Sequence, residues 1–137
     1  TGNDLDAIVD VIYRFAFATA YRIIPTDTTQ YEPRQYIAAW VTRQFEQKPT
    51  AIFLAESDGE VVGICAGSIM DFPLVPDFPH LWEWTWHVKP GHEDAKLRLW
   101  KQLAKWAKAN GAKGCNYGEP EIKDGHLQET LHWRIWT

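Results

Sequence analysis

The side chains best suited to move a proton lie in the run His80-Leu81-Trp82-Glu83-Trp84-Thr85-Trp86-His87. Read with the two-residue period of a strand, Glu83, Thr85 and His87 share one face while Trp82, Trp84 and Trp86 share the other. A carboxylate beside a tryptophan-rich core is expected to have its pKa raised toward neutrality, where it can act as a general base. The imidazole of His87 titrates near that range unaided. The same pattern without chemistry is a solvent-exposed polar face backed by a core face of indoles. Other constellations are absent. His80 with His87, and His126 with His132, lack the i, i+4 or cysteine-paired spacing of a zinc site, so no metal is expected. No Gly-x-Ser-x-Gly elbow, phosphate loop or dinucleotide fingerprint occurs. Cys65 and Cys115 each sit in an apolar, strand-like run with no basic neighbour, and read as buried reduced thiols of an intracellular protein.

The elements that must hold these residues follow from periodicity. Leu5, Ile8, Val9, Ile12, Phe15 and Ala16 recur at helical spacing, predicting a helix over 4–23 that Asn3 or Asp4 can cap. Residues 24–32, with Pro25 and a threonine-rich stretch, read as a loop. Pro33 opens a second helix whose stripe is Tyr36, Ile37, Trp40, Val41 and Phe45, ending near Lys48. The period then changes. Thr50–Ser57 and Glu60–Met70 flank Asp58-Gly59 and predict a hairpin. Residues 71–80 carry three prolines and read as irregular, and 81–88 as a strand. Glu93–Asn110 is an amphipathic helix closed by Gly111. Residues 112–117 read as a strand, 118–125 as a loop and 126–136 as a last helix. The predicted order is ααβββαβα, an α+β fold with a mixed, mostly antiparallel sheet in one domain spanning 1–137. The strand-helix-strand unit within it requires two parallel strands.

Bulk properties narrow the classes. The chain has 137 residues and a formal net charge of −4, against the basic excess that phosphate binding rewards, so no nucleic-acid partner is expected. No apolar run approaches the ~20 residues that span a bilayer and no signal peptide is visible, so a cytoplasmic location without a membrane partner is expected. Arg98, Lys101, Lys105 and Lys108 form one helical stripe, which reads as a solvated face, with a phosphate-binding surface as the other reading.

Element order and particular residues together resemble the GNAT (Gcn5-related N-acetyltransferase) family. The resemblance is carried by Thr1-Gly2-Asn3-Asp4-Leu5-Asp6-Ala7-Ile8, by the hairpin Ala51–Glu56 with Val61-Val62-Gly63-Ile64-Cys65-Ala66-Gly67, and by Trp86-His87-Val88-Lys89-Pro90. After these come Leu99, Leu103, Trp106 and Ala107, then Gly111-Ala112, a Trp-Ala and Gly-Ala pairing also seen in phage-encoded members. The family's first strand would precede Thr1 and two strands would follow the last helix, so the sheet edges are expected to be covered by chain or partner outside this sequence.

The resemblance implies acetyl transfer from acetyl-CoA to a small-molecule or protein amine, with Glu83 as first candidate base and His87 as second. It implies a proton donor to the departing thiolate, either His132 or Tyr117. It places the cofactor along Val88, Lys89, His92, Ala95, Lys96, Arg98 and Asn116. In the family a loop of Arg/Gln-x-x-Gly-x-Gly/Ala type holds the pyrophosphate on backbone N–H groups at a helix start. Here the stretch is Gly91-His92-Glu93-Asp94-Ala95-Lys96-Leu97-Arg98, with two acids where Arg-Gly would stand. Carboxylates there satisfy the helix dipole themselves and repel a diphosphate. The alternative is therefore a GNAT-shaped module without catalysis, serving as a structural or protein-binding part of a homo-oligomer or an assembly such as a phage particle, in the host cytoplasm or the virion.

Overall fold

The sequence changes period at Thr50, and there the chain turns from helix to sheet. The computed structural model describes residues 2–18, 33–72, 74–75 and 77–136. In chain order these form α1 (Gly2–Ala18), α2 (Pro33–Gln47), β1 (Thr50–Ser57), β2 (Glu60–Asp71), β3 (Pro79–Val88), α3 (Glu93–Ala109), β4 (Gly114–Lys123) and β5 (His126–Ile135). The strands make one 5-stranded sheet in the order β1-β2-β3-β4-β5. Neighbours are antiparallel except β3 and β4, which run parallel and are joined through α3. The mixed, mostly antiparallel sheet flanked by helices is as expected.

The observed order is ααβββαββ, and the last helix expected over 126–136 is instead β5. Two features of the sequence account for this. Leu127, Leu131, Trp133 and Ile135 fall on odd positions against Gln128, Thr130, His132 and Arg134 on even ones, a two-residue period. Asp124 and Gly125, at φ 53° and 77°, form the same two-residue turn as Asp58 and Gly59 at 52° and 76°. The expected loop 118–125 is accordingly strand as far as Lys123, and the expected strand 112–117 starts at Gly114. The first helix starts at Gly2 rather than at residue 4. The expected end of that helix at 19–23 and the loop 24–32 lie outside the described residues.

The β1–β3 part of the sheet is covered on both faces, which is why β1 and β2 read as nearly continuous apolar runs. On one face Cys65, Ile69 and Leu81 pack with Leu99, Leu103 and Ala107 of α3, and Ala51, Phe53 and Ala55 of β1 join them. On the other face Ile64, with Ile52 and Leu54, meets Val11 and Phe15 of α1. The buried stripe of α3 is Ala95, Leu99, Leu103 and Ala107, one residue per turn. Burying each leucine contributes about 1.5–3 kcal/mol. The helix stops where expected. Gly111 takes φ 93°, its N–H bonds the Lys108 carbonyl at 3.2 Å, and the Ala112 N–H bonds the Ala107 carbonyl at 3.0 Å. These two bonds are a Schellman ending.

Candidate active site

The ladder between β2 and β3 slips where Ala66 faces Thr85 but Gly67 faces Glu83. Trp84 is the extra residue of a β-bulge. Because paired residues share a face, the bulge puts Leu81, Glu83, Trp86 and Val88 on the α3 face. Trp82 and Trp84 face α2, where Trp40 meets them edge-on at 6.1 and 4.7 Å. His87 stacks on Phe15 of α1 at 6.2 Å. The unbroken alternation expected for this strand is therefore corrected: Glu83 and His87 lie on opposite faces, and Trp86 shares the face of Glu83.

Beyond the bulge's start the sheet divides. β3 and β4 pair at Leu81–Cys115 and Trp82–Asn116, although β3 continues to Val88 and β4 to Lys123. Just past that last pair the buried carboxylate of Glu83 accepts a hydrogen bond from the Gly118 backbone N–H at 3.4 Å. Asn116 Oδ1, at the point of division, and Thr85 Oγ1, beside the bulge, are buried without a hydrogen-bond partner. Such atoms are unfavourable until something donates or accepts there.

An aromatic wall flanks the fork on the α3 face. Trp86 stacks on Trp100 with centroids 5.0 Å apart, and Tyr117 meets them edge-on at 5.8 and 5.3 Å. The Tyr117 ring stacks on His132 at 4.9 Å and 14°. His132 Nε2 lies 3.4 Å from Glu119 Oε2, without the geometry of a hydrogen bond. The hydrogen bond of Trp86 Nε1 to the Lys96 carbonyl, 2.9 Å, fixes the wall to α3.

The start of α3 is acidic and internally satisfied. The Gly91 N–H donates to Glu93 Oε1 at 3.0 Å. That bond, then the carboxylate's bond to its own backbone N–H, holds the Glu93 carboxyl below its usual range. Asp94 pairs with Arg98 at 3.3 Å. Val88 ends β3, and the adjoining Lys89 pairs with Glu60. The His92 N–H bonds the Lys89 carbonyl at 3.1 Å, and Ala95 turns its methyl into the core. Lys96 Nζ stands 5.0 Å over the Trp86 ring. Burial, then the Lys96 charge, pushes the His87 pKa down.

The fold thus brings Glu83, Tyr117 and His132 to one face of one fork, puts His87 across the sheet, and sets Val88, Lys89, His92, Ala95, Lys96 and Arg98 at its upper end. Asn116 sits at its base. Trp100, the Gly118 N–H and Glu119 escape a reading of the sequence alone. The sign available for the last two was the alternation in 126–135, which calls for a partner strand reaching through residue 118. Cys65 and Cys115 are free and buried, and burial raises both thiol pKa values, so neither is an activated nucleophile. Among the described residues no group of His, Cys, Asp or Glu could hold a metal, and no helix is long and apolar enough to cross a membrane.

Over the described residues the chain is thus a three-helix, five-stranded mixed-sheet protein whose two parallel strands part beside a buried carboxylate. Residues 13–118 match the acetyltransferase (GNAT) family, and the chain belongs to that family. Solved structures agree on the fold. Ribosomal-protein-alanine N-acetyltransferase from Brucella melitensis is 18% identical, with a TM-score of 0.61 over 98% of this chain and 96% of that one. An aminoglycoside acetyltransferase from an uncultured soil metagenomic sample is 17% identical, with a TM-score of 0.62 over 90% of this chain and 78% of that one. The PaiA N-acetyltransferase from Thermoplasma acidophilum, in complex with coenzyme A, is 16% identical, with a TM-score of 0.54 over 98% and 94%. No curated protein matches the sequence.

Proposed function

We propose that this chain, acting as one unit over 1–137, transfers an acetyl group from acetyl-CoA to a small-molecule or protein amine at the fork between β3 and β4. The observation that carries the reading is the parallel ladder that stops after Trp82–Asn116, with Glu83 buried where the strands part. Beyond Trp82 and Asn116 the backbone amides of β3 and β4 no longer pair with one another, which suits an amide-bearing chain, as the pantetheine arm is. The coenzyme A complex of a protein with the same fold supports the same cofactor.

When bound, acetyl-CoA supplies an activated thioester. Glu83 removes a proton from the acceptor's ammonium group, leaving the nitrogen lone pair to form the new C–N bond as the C–S bond breaks. Tyr117, its ring held by Trp86, Trp100 and His132, gives a proton to the departing sulfur. It is reprotonated by the second proton that the nitrogen sheds as it becomes an amide. His132 is the other donor at the same place. His87, stacked on Phe15 across the sheet, is not assigned the base role.

The Glu93 carboxylate on the Gly91 N–H favours a second reading, a family member without catalysis that serves as a structural or binding module. One experiment separates the two. The chain is incubated with acetyl-CoA and a panel of primary amines, thiol release is followed, and melting is measured with and without acetyl-CoA. Acetyl transfer requires thiol release that depends on the amine, and a binder at 100 times Kd gains about 2.7 kcal/mol. No release with any amine and no shift in melting leaves the module reading.

A further inference from the structure

Between α3 and the β4–β5 hairpin lies a cleft of about 750 Å³ that opens beside the fork, with Trp86 and Tyr117 in its wall. Its charge is one-sided. Lys101, Lys105 and Lys108 project from α3 and Arg134 from β5, and none of the described lining residues is a carboxylate. The chain as a whole carries −4, so four cations gathered at one cleft run against the net charge. Trp100 and Trp136 supply flat walls, with Lys108 Nζ 4.9 Å over the Trp136 ring. Lysine-bearing turns of α3 from 101 to 108 span about 10 Å at the helical rise, enough to line up with more than one phosphate.

The start of α3 has the opposite character. Its Gly91 N–H is taken by Glu93, and Asp94 stands beside it. A diphosphate at that spot meets two carboxylates, whereas in the cleft it meets four cations and ring faces on which a purine can stack. We infer that the cleft between α3 and the β4–β5 hairpin, rather than the amino terminus of α3, receives the phosphates of coenzyme A. This deepens the acetyl-transfer reading and rests on it for the identity of the ligand. The lysine stripe then has a use beyond solvation, and the ring wall of Trp86 and Tyr117 links the phosphate end to the fork where Glu83 lies.

The test measures binding of coenzyme A and of adenosine 3′,5′-diphosphate by calorimetry at two salt concentrations. The proteins are the native chain, K105Q/K108Q, K105R/K108R and E93Q/D94N, each with its melting temperature as a check on folding. The lysines are exposed, so their variants fold. Expected are a loss of about tenfold or more for both ligands in K105Q/K108Q, near-native affinity in K105R/K108R, and affinity that falls with salt in the native chain. E93Q/D94N stays within about threefold, since the phosphates do not rest there. Lysine-insensitive binding, or tenfold tightening in E93Q/D94N alone, overturns the cleft and returns the phosphates to the helix start. The failures are distinguishable. Lysine-dependent binding without acetyl transfer to any amine removes the enzyme reading and keeps the cleft; acetyl transfer with lysine-insensitive binding does the reverse. Absence of binding by either ligand overturns both.

Discussion

Glu83 Oε2 accepts the Gly118 backbone N–H at 3.4 Å, so a side chain stands in for the carbonyl that a continued β3–β4 ladder would have offered. The strands part there, and the carboxylate is held at the parting. On the proposed function E83Q keeps this acceptor and the residue volume but cannot take a proton. Amine-dependent thiol release is expected to fall ~10²–10³-fold, with little change in melting temperature. Steady-state kinetics over pH 6–9 check it, and native rates in E83Q remove Glu83 from the base role.

The bulge that aims Glu83 toward α3 depends on Gly67. A Cβ there would stand 2.6 Å from the Trp82 carbonyl oxygen and 2.9 Å from Leu81 Cδ1. The first obstacle is backbone and cannot swing away. G67A is expected to destabilise by about 1–3 kcal/mol, a fall in melting temperature of roughly 4–12 °C. Catalysis measured well below that melting point should drop as well, because relief of the clash moves β3 where Glu83 is carried. A G67A protein that melts and turns over as the native one does would show that β3 tolerates the change without moving.

Stability should also depend on pH through two histidines. Burial lowers the pKa of His87, with the Lys96 charge adding to it, and burial lowers that of His80. The unfolded chain therefore binds more protons than the folded one as pH falls below about 6.5, and stability declines until the folded-state pKa values are passed. Each such proton is worth at most about 1.4 kcal/mol per pH unit. The lowered carboxyl groups of Glu60 and Glu93 act in the same direction but only below their ordinary range near 4.5. Urea unfolding at intervals from pH 7.5 to 5 should show the decline, and H87Q should flatten part of it. Equal stability across that interval contradicts the assignment.

What the sequence revealed, and what it hid, turns on how locally each feature is encoded. Asp58-Gly59 between alternating runs, and Gly111 after a helical stripe, are short-range instructions that tertiary structure has no reason to override, and both elements ended where they point. Asp124-Gly125 is the same instruction, yet the residues on its far side also fit a helix. Leu131, Trp133 and Arg134 in so short a stretch fit either period until β4 is known to reach Lys123. The bulge at Trp84 is different in kind. Nothing in His80–His87 marks the extra residue, because the slip belongs to the pairing with β2, where Gly67 leaves room for the close approach of Trp82. The candidate site was legible as a set of residue types. Its division, with Glu83 on one face and His87 on the other, belongs to the pairing of strands and so could not be read from one strand alone.

The ring of Tyr117 supplies the last prediction. It is clasped by Trp86, Trp100 and His132 at 5.8, 5.3 and 4.9 Å, contacts that a phenylalanine keeps. Y117F therefore removes the hydroxyl alone. If that hydroxyl protonates the departing sulfur, kcat falls about 10- to 100-fold while KM stays within about threefold, since the loss is confined to the transition state. The effect should vanish with an acetyl thioester of an acidic aromatic thiol, which leaves as a stable thiolate and needs no proton. Equal impairment with both donors would mean that Tyr117 positions the thioester instead. No impairment with either passes the donor's part to His132, whose Nε2 already faces the Glu119 carboxylate at 3.4 Å; H132N in place of Y117F should then show the loss and its rescue.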